Sequence, residues 1–549
     1  GEQKNQQTTQ IQASQAQASQ IQADGKTTLI ATGAAEQSNI NITGSDVAGK
    51  TSTTLIADKD ITLQSAEQSS SERSNNKSSG WNAGVAVSFG QGGWSLGITA
   101  GGNVGKGYGN GDSVTHHHSH IGDKGSQTII QSGGDTTLKG AQVIGKGVQV
   151  HAQNLSIQSV QDSETYQSKQ QNASAQVTVG YGFSASGDYS QSKIRADHAS
   201  VTEQSGIYAG EDGYQINIKG HTDLKGGLIT STQSAEDNGR NQFATGTLSF
   251  SDIHNHSHYE GESFGLGGSG NVNGGWTEQM QNGFSPEAGY GSDNDSQNSI
   301  TRSGINTQNI QISDEAAQIR LTGKTAQQTQ AEVYADTTTE TAAQRSGSLN
   351  NVFDKEAVQS ELDLQRTVSQ DFSQTSQQAG TEINRKAKEH DDNAEQLDQA
   401  AAKAYAEGNK ELAQALAAQA DDERKKAADW QRGGVLLNMI SAGLSAPTQS
   451  TTGIVAATAS PALSYKIGQE FKKHDAEGTP AHILAHAILG AAVAAAGDNN
   501  ALVGAISAGG AEAAAPYISK WLYDKEKGSD LTAEEKETVS AITNLLGTA

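Results

Sequence analysis

The sequence predicts a mainly β protein followed by an α-helical part: a right-handed parallel β-helix with amphipathic β-hairpin excursions, then a helical linker and a small all-α domain. Apolar and polar residues alternate at period two over roughly the first 320 positions, a folding signal that disordered tracts lack. Glycine-turned strand ends recur about 90 residues apart, at Ile42 to Val47, Leu138 to Val143 and Leu224 to Ile229, with a fainter echo at Leu321-Thr322-Gly323. Beyond about Thr325 the β-branched alternation yields to Ala, Gln, Glu, Lys and Arg.

The glycine-turned segments read as rungs. The first two are followed by further short strands, Thr54 to Ala57 with Ile61 to Leu63, and Val148 to Val150 with Leu155 to Ile157. In such a solenoid each rung buries its inward Ile, Leu and Val against the next, so a narrow core extends with few aromatics. That suits a chain of 549 residues that is only 34% hydrophobic and 5% aromatic, with 63 Gly and 5 Pro. Lys and Arg number 38 against 61 Asp and Glu, and a net charge of −23 repels phosphate backbones, so nucleic acid is not an expected partner. The absence of cysteine excludes disulfides and thiolate metal sites. Gly1 opens into a polar tract with neither a basic start nor an apolar run, as expected of an internal fragment.

Polar spacers at 65–79 and 159–174 read as excursions from the spine, each leading into a different pattern. Trp81, Ala83, Val85, Val87 and Phe89 share one face of an extended strand, and after Gly90 to Gly93 that face resumes with Trp94, Leu96, Ile98 and Ala100. Val177, Val179, Tyr181 and Phe183 repeat it. Leu248 and Phe250 repeat it more weakly, ahead of a glycine-rich return through Phe264 and Leu266. Strands of about nine residues match one that crosses a bilayer at a tilt. In water, each hairpin is expected to fold over the β-helix and cover apolar surface.

Phe353 to Trp430 should be mostly helical, with thin stripes such as Leu397, Ala401, Ala404, Leu412, Leu416 and Ala420. From Gly433 onward Ala and Gly dominate, and the apolar run Ile483 to Ala496 is shorter than a membrane helix needs, which predicts a compact bundle. The expected domains are 1–325, 326–432 and 433–549.

No residues read as catalytic or cofactor-binding. His116, His117, His118 and His120, and His254, His256 and His258, are dense enough to raise metal binding, yet neither cluster has a catalytic zinc spacing, so loop histidines are the expectation. His482 and His486 stand one helical turn apart without the glutamate of a zinc protease and read as helix packing. Gly101 to Gly107 lacks the Lys-Ser/Thr ending of a phosphate loop and reads as a hairpin return. A carbohydrate-active β-helix would need a carboxylate pair in a groove, which spacing alone does not place.

Ser464 to Gln469, followed by Glu477 to Ala487, resembles the pretoxin region of contact-dependent growth inhibition proteins; Asn499-Asn500-Ala501, Gly509 to Ala513 and Leu531 to Lys536 continue it in order. The upstream repeats are similar to the second haemagglutinin-repeat region of this filamentous-haemagglutinin family. The resemblance implies two-partner secretion through an outer-membrane transporter, display at the cell surface, and delivery of a C-terminal toxin, carried in cis, at the target-cell outer membrane. The Val-Glu-Asn-Asn boundary that precedes the toxin in that family does not occur here, which implies that these residues lack the toxin and its activity. A passive adhesin or haemagglutinin stalk is the alternative.

Overall fold

A computed structural model describes residues 1–90, 93–179, 182–273 and 285–444, with some side chains near the arm tips and along the helices outside the description. The described chain is mostly strand with a helical C-terminal part.

After an extended strand β1 (Glu2–Ser14) the chain makes two turns of a spine. The first holds β2 (Gln20–Ala23), β3 (Lys26–Ala31) and β4 (Ile40–Thr43); the second holds β5 (Asp46–Gly49), β6 (Ser52–Ala57) and β7 (Ile61–Gln64). It then leaves as β8 (Ala66–Gly90) and comes back as β9 (Gly93–His117). Two further turns follow: β10 (Ser119–Ile121), β11 (Gln127–Ser132) and β12 (Asp135–Lys139), then β13 (Ala141–Ala152) and β14 (Asn154–Gln158). A second pair of arms is β15 (Asp162–Val179) and β16 (Gly182–Ser200). The plan repeats with β17 (Gly206–Ile218), β18 (His221–Lys225), β19 (Leu228–Thr230), the short helix α1 (Gln233–Asp237), β20 (Gln242–Thr245) and β21 (Thr247–Ser251). The third arms are β22 (Ile253–Asn273) and β23 (Ser285–Thr301), after which β24 (Gly304–Ile305) and β25 (Ile310–Ile312) close the strand stack.

Successive turns stack in parallel, strand upon equivalent strand. One ladder runs β4-β7-β12-β14-β18-β21, and the other two merge into one sheet because β13 and β17 run through both. Period-two alternation turns every second side chain inward, so Leu55, Leu63, Ile130, Leu138, Ile157, Ile216 and Leu224 lie fully or almost fully buried in one continuous core. Each such burial contributes roughly 1.5–3 kcal/mol. The repeated glycine motif is the corner between the third strand of one turn and the first of the next: Gly44, Gly140 and Gly226 have φ of 53°, 69° and 56°. A side chain at Gly140 would be strained there and would meet Ser65 and Val160 as well.

The far end of the spine is closed by helices. Helices α2 (Glu315–Thr322), α3 (Ala326–Val333) and α4 (Ala342–Arg345) lie against it, with Val333 inside the spine core and Ala342 against Tyr208 and Leu228. Leu321-Thr322-Gly323 is therefore not a rung. It is the end of α2, and Gly323 is its left-handed cap. A strand edge normally exposes unpaired amides. Here the buried Gln318 takes the place of the next strand: its Oε1 accepts from the Leu248 amide at 2.8 Å and its Nε2 donates to the Leu248 carbonyl at 2.8 Å. Residues 315–348 thus pack with the spine, and position 326 falls inside this end cap.

Two long helices follow, α5 (Lys355–Ala406) and α6 (Lys410–Leu444). They pair through small residues, with Ala394, Ala404, Ala413, Ala420 and Ala427 buried and Leu412 exposed. His390 meets Glu423 across the pair at 2.6 Å. Among the described residues no helix is long and apolar enough to cross a membrane. Residues 445–549, including His482 and His486, lie outside the described residues.

Replacing Gln318 by alanine should leave both backbone groups of Leu248 unpaired inside the cap. The expected cost is about 2–3 kcal/mol, read as a lower urea midpoint of the strand signal in circular dichroism; an unchanged midpoint refutes the capping role.

Candidate functional site

The six arms and β1 form one antiparallel sheet, in the order β1-β8-β9-β15-β16-β22-β23. Among the described residues the arms pack chiefly against one another and not on the spine strands. The expectation that each would fold back over the β-helix is therefore corrected: edge pairing between arms satisfies their backbone amides more completely than lying on a surface would. All three pairs leave after a third-ladder strand and return into a first-ladder strand, once every two turns. Two turns advance the spine by about 9.6 Å, the width that two paired strands occupy. Each excursion therefore lands beside its neighbour without distortion.

The spacers at 65–79 and 159–174, expected as excursions from the spine, form the basal parts of the arm strands β8 and β15. Gly101 to Gly107, expected in a hairpin return, belongs to the strand that comes back to the spine. It lies within β9, where the side-chain ends of Ser78, Asn172, Gln170 and Asn76 fill the space beside Gly105 and Gly107.

Register decides which residues share a face. Val85 lies opposite Ile98, Ile98 opposite Val179, and Val179 opposite Phe183; two residues toward the base, Ala83, Ala100, Val177 and Ala185 form the next row. Trp81, Val85, Ile98, Val177 and Val179 all stand on this one face in solvent, Val85 at 65% and Ile98 at 68% exposure. Val87 pairs with Leu96 and Phe89 with Trp94 in the same register, their side chains lying outside the description, as does that of Phe183; Tyr181 lies outside the described residues.

Leu248 and Phe250 are a correction. They belong to β21, a spine rung, where Leu248 is fully buried and Phe250 packs against the core. Their alternation is genuine, but the face it makes points into the solenoid. The third arms begin only at Ile253 and contain Phe264 and Leu266. Leu266, expected in a glycine-rich return, is exposed on the shared face, as are Val104 and Tyr189, which escaped sequence reasoning. Each sits among glycines or polar residues, and the only available signal was the unbroken period of two.

The opposite face is covered near the base. Val358 and Leu362 of α5 bury Ile194 against Tyr166, Tyr259 and Phe353, and Lys355 sits 5.8 Å over the Tyr166 ring. Toward the tips this face carries Asn82, Gly84, Thr99, Gly101, Asn103, Ser174, Gln176 and Ser186. One side apolar and the other small and polar is the pattern of a strand between lipid and water.

Histidines gather where the arms leave the spine. His120 is held between Asp46 at 2.8 Å and Glu203 at 2.5 Å, and the Glu203 hydrogen bond leads the effects that lift its pKa to about 9 against the cost of burial. His116 meets Asp162 at 3.0 Å and His256 meets Asp197 at 3.1 Å. Burial holds His118 and His198 below the ordinary imidazole value. Among the described residues no group of three His, Asp or Glu is arranged to hold a metal. A cleft of about 930 Å³ beside the spine includes Lys124, Lys146, Glu203, Glu211 and Tyr208; of its two carboxylates Glu203 is engaged by His120.

Replacing His120 by glutamine removes a cation whose folded pKa is raised above its unfolded value near 6.5. Its contribution is full below that unfolded value and fades as pH rises through about 9. The wild type should therefore exceed H120Q in stability in mild acid, and urea midpoints should converge in alkali. A constant difference across pH refutes this ion-pair role.

The family model for the hemagglutinin repeat matches residues 1–173. Nearly the whole chain is similar to three curated relatives. A protein named tRNA nuclease CdiA from Yersinia mollaretii is 31% identical over 98% of this chain and 17% of its own length. One named 16S rRNA endonuclease CdiA from Enterobacter cloacae is 32% identical over 99% of this chain and 16% of its own. A deoxyribonuclease CdiA from Yersinia pseudotuberculosis is 30% identical over 97% of this chain and 49% of its own. The chain thus spans about a sixth of the first two and about half of the third. No solved structure matches it.

Proposed function

We infer that the projecting sheet is the working part of this chain, which belongs to the filamentous-haemagglutinin-like region of the CdiA family of contact-dependent growth inhibition proteins. The relatives carry nuclease names for differing targets, while the segment they share with this chain includes the hemagglutinin repeat. A shared segment ahead of varied activities is what a delivery device for toxins requires. The role proposed here is translocation: a secreted, surface-displayed protein, exported through an outer-membrane transporter, whose arms enter the target-cell outer membrane so that a C-terminal toxin in cis can pass.

One observation supports this reading above the rest: toward the tips, the large apolar side chains of the arms collect on one solvent-facing side of a sheet whose other side there is small and polar. Exposed apolar surface of this extent is seldom kept in water without a use. In a bilayer the same strands satisfy their backbone groups only by closing edge to edge. Three hairpins and β1 already stand in that antiparallel order. A right-handed spine as their rigid base, a helical linker that follows the 315–348 end cap and runs to 432, and an α-helical pretoxin unit over 433–549 complete the proposed architecture.

Insertion is read by protease protection. With lipid vesicles, the segments 66–117 and 162–200 should become resistant in the wild type. Replacing Val85 and Ile98 by arginine should abolish protection while the spine still folds, since a cation on a lipid-facing strand costs about 2–4 kcal/mol at mid-depth. Arms that remain digestible with vesicles, or protection that survives both substitutions, would sink the translocation role; binding without protection would favour a passive adhesin.

A further inference from the structure

The apolar face of the projecting sheet ends abruptly toward the spine, and what borders it is basic. Lys77 of β8 lies directly opposite Lys106 of β9, and in the next row Lys169 of β15 lies opposite Lys193 of β16. Register places all four on the same side as Val85, Ile98 and Val179. Lys77, Lys106 and Lys193 are exposed and Lys169 is half-buried.

Like charges placed directly across a sheet destabilise it. Two such pairs side by side, in a chain whose net charge is −23, are a cost that stability alone does not explain. Neighbouring cations of the next row are neutralised, Arg73 by Asp112 at 2.9 Å and Arg195 by Glu260 at 3.8 Å. Among the described residues none of the four lysines is in an ion pair; Glu262, opposite Lys193, is the acidic group in register with them.

The height of the band points to its ligand. Ser79 to Phe89 on β8 is about the 9–11 residues that a tilted strand needs to cross the hydrocarbon. Lys77 then falls just outside, at headgroup level. Tyr108 lies directly opposite Lys169, and Tyr189 two rows nearer the tip, one row beyond Lys106, so that aromatics flank the lysines as in an interfacial girdle.

We propose that Lys77, Lys106, Lys169 and Lys193 form a belt that binds the anionic phosphate headgroups of a lipid membrane and sets the depth to which the apolar face enters it. This rests on the membrane reading above and adds to it a lipid specificity. Headgroup phosphates neutralise the paired lysines, so the repulsion stored in the free protein is relieved on docking.

The test uses the whole chain with vesicles of phosphatidylcholine, alone or partly replaced by phosphatidylglycerol. Three proteins are compared: wild type, the belt variant K77Q/K106Q/K169Q/K193Q, and K26Q/K124Q/K139Q/K225Q, which changes charge equally at exposed spine lysines. Wild type and spine variant should bind the anionic vesicles at least roughly tenfold more tightly than neutral ones, and the belt variant should lose that preference. Without lipid, the belt variant should melt no lower than wild type, because it removes two like-charge pairs and, among the described residues, no ion pair. If belt and spine variants bind anionic vesicles alike, the belt is overturned, while protease protection of the wild-type arms still stands for insertion. If wild-type arms are protected in no vesicle, the membrane reading falls and takes the belt with it.

Discussion

Everything distinctive in this molecule depends on a match between two lengths. Parallel rungs stack at the spacing of hydrogen-bonded strands, and antiparallel arms pair at nearly the same spacing. An excursion taken once every two turns therefore places two arms in the width that two rungs provide. Had the interval been one turn the arms would collide, and at three they would part. With two, β9 reaches β15 and β16 reaches β22, and three separate excursions become a single sheet.

The rigid part of the structure serves this alignment. The spine core is built from inward Ile, Leu and Val, left-handed glycines turn its corners, and Gln318 ends its third ladder in place of a strand. At the base, His120 ties Asp46 of one rung to Glu203 beside the following arms. Helix α5 braces the opposite face through Val358 and Leu362. What remains uncovered is the face bearing Trp81, Val85, Ile98 and Val179, and this is the face for which a lipid partner is proposed.

Two faces of the same alternation have opposite fates, and this is why local pattern misled at Leu248 and Phe250. A strand of the spine and a strand of an arm both read apolar, polar, apolar. In β21 the apolar side meets neighbouring rungs and vanishes from water; in β8 it meets nothing. Sequence carries the period but not the partner.

The sequence by itself determined the alternation that makes strands, the glycine corners at Gly44, Gly140 and Gly226, the switch to helix after the rungs, and the family likeness, because each depends on residues close together along the chain or on an ordered series of short motifs. Only the tertiary structure decided that the polar spacers are basal arm strands, that Gly101 to Gly107 lies within β9, that the arms join one another, and that Lys77 stands against Lys106. Those outcomes depend on register between segments tens of residues apart. A shift of one residue would send every side chain of an arm to the other face, and no local pattern fixes that choice.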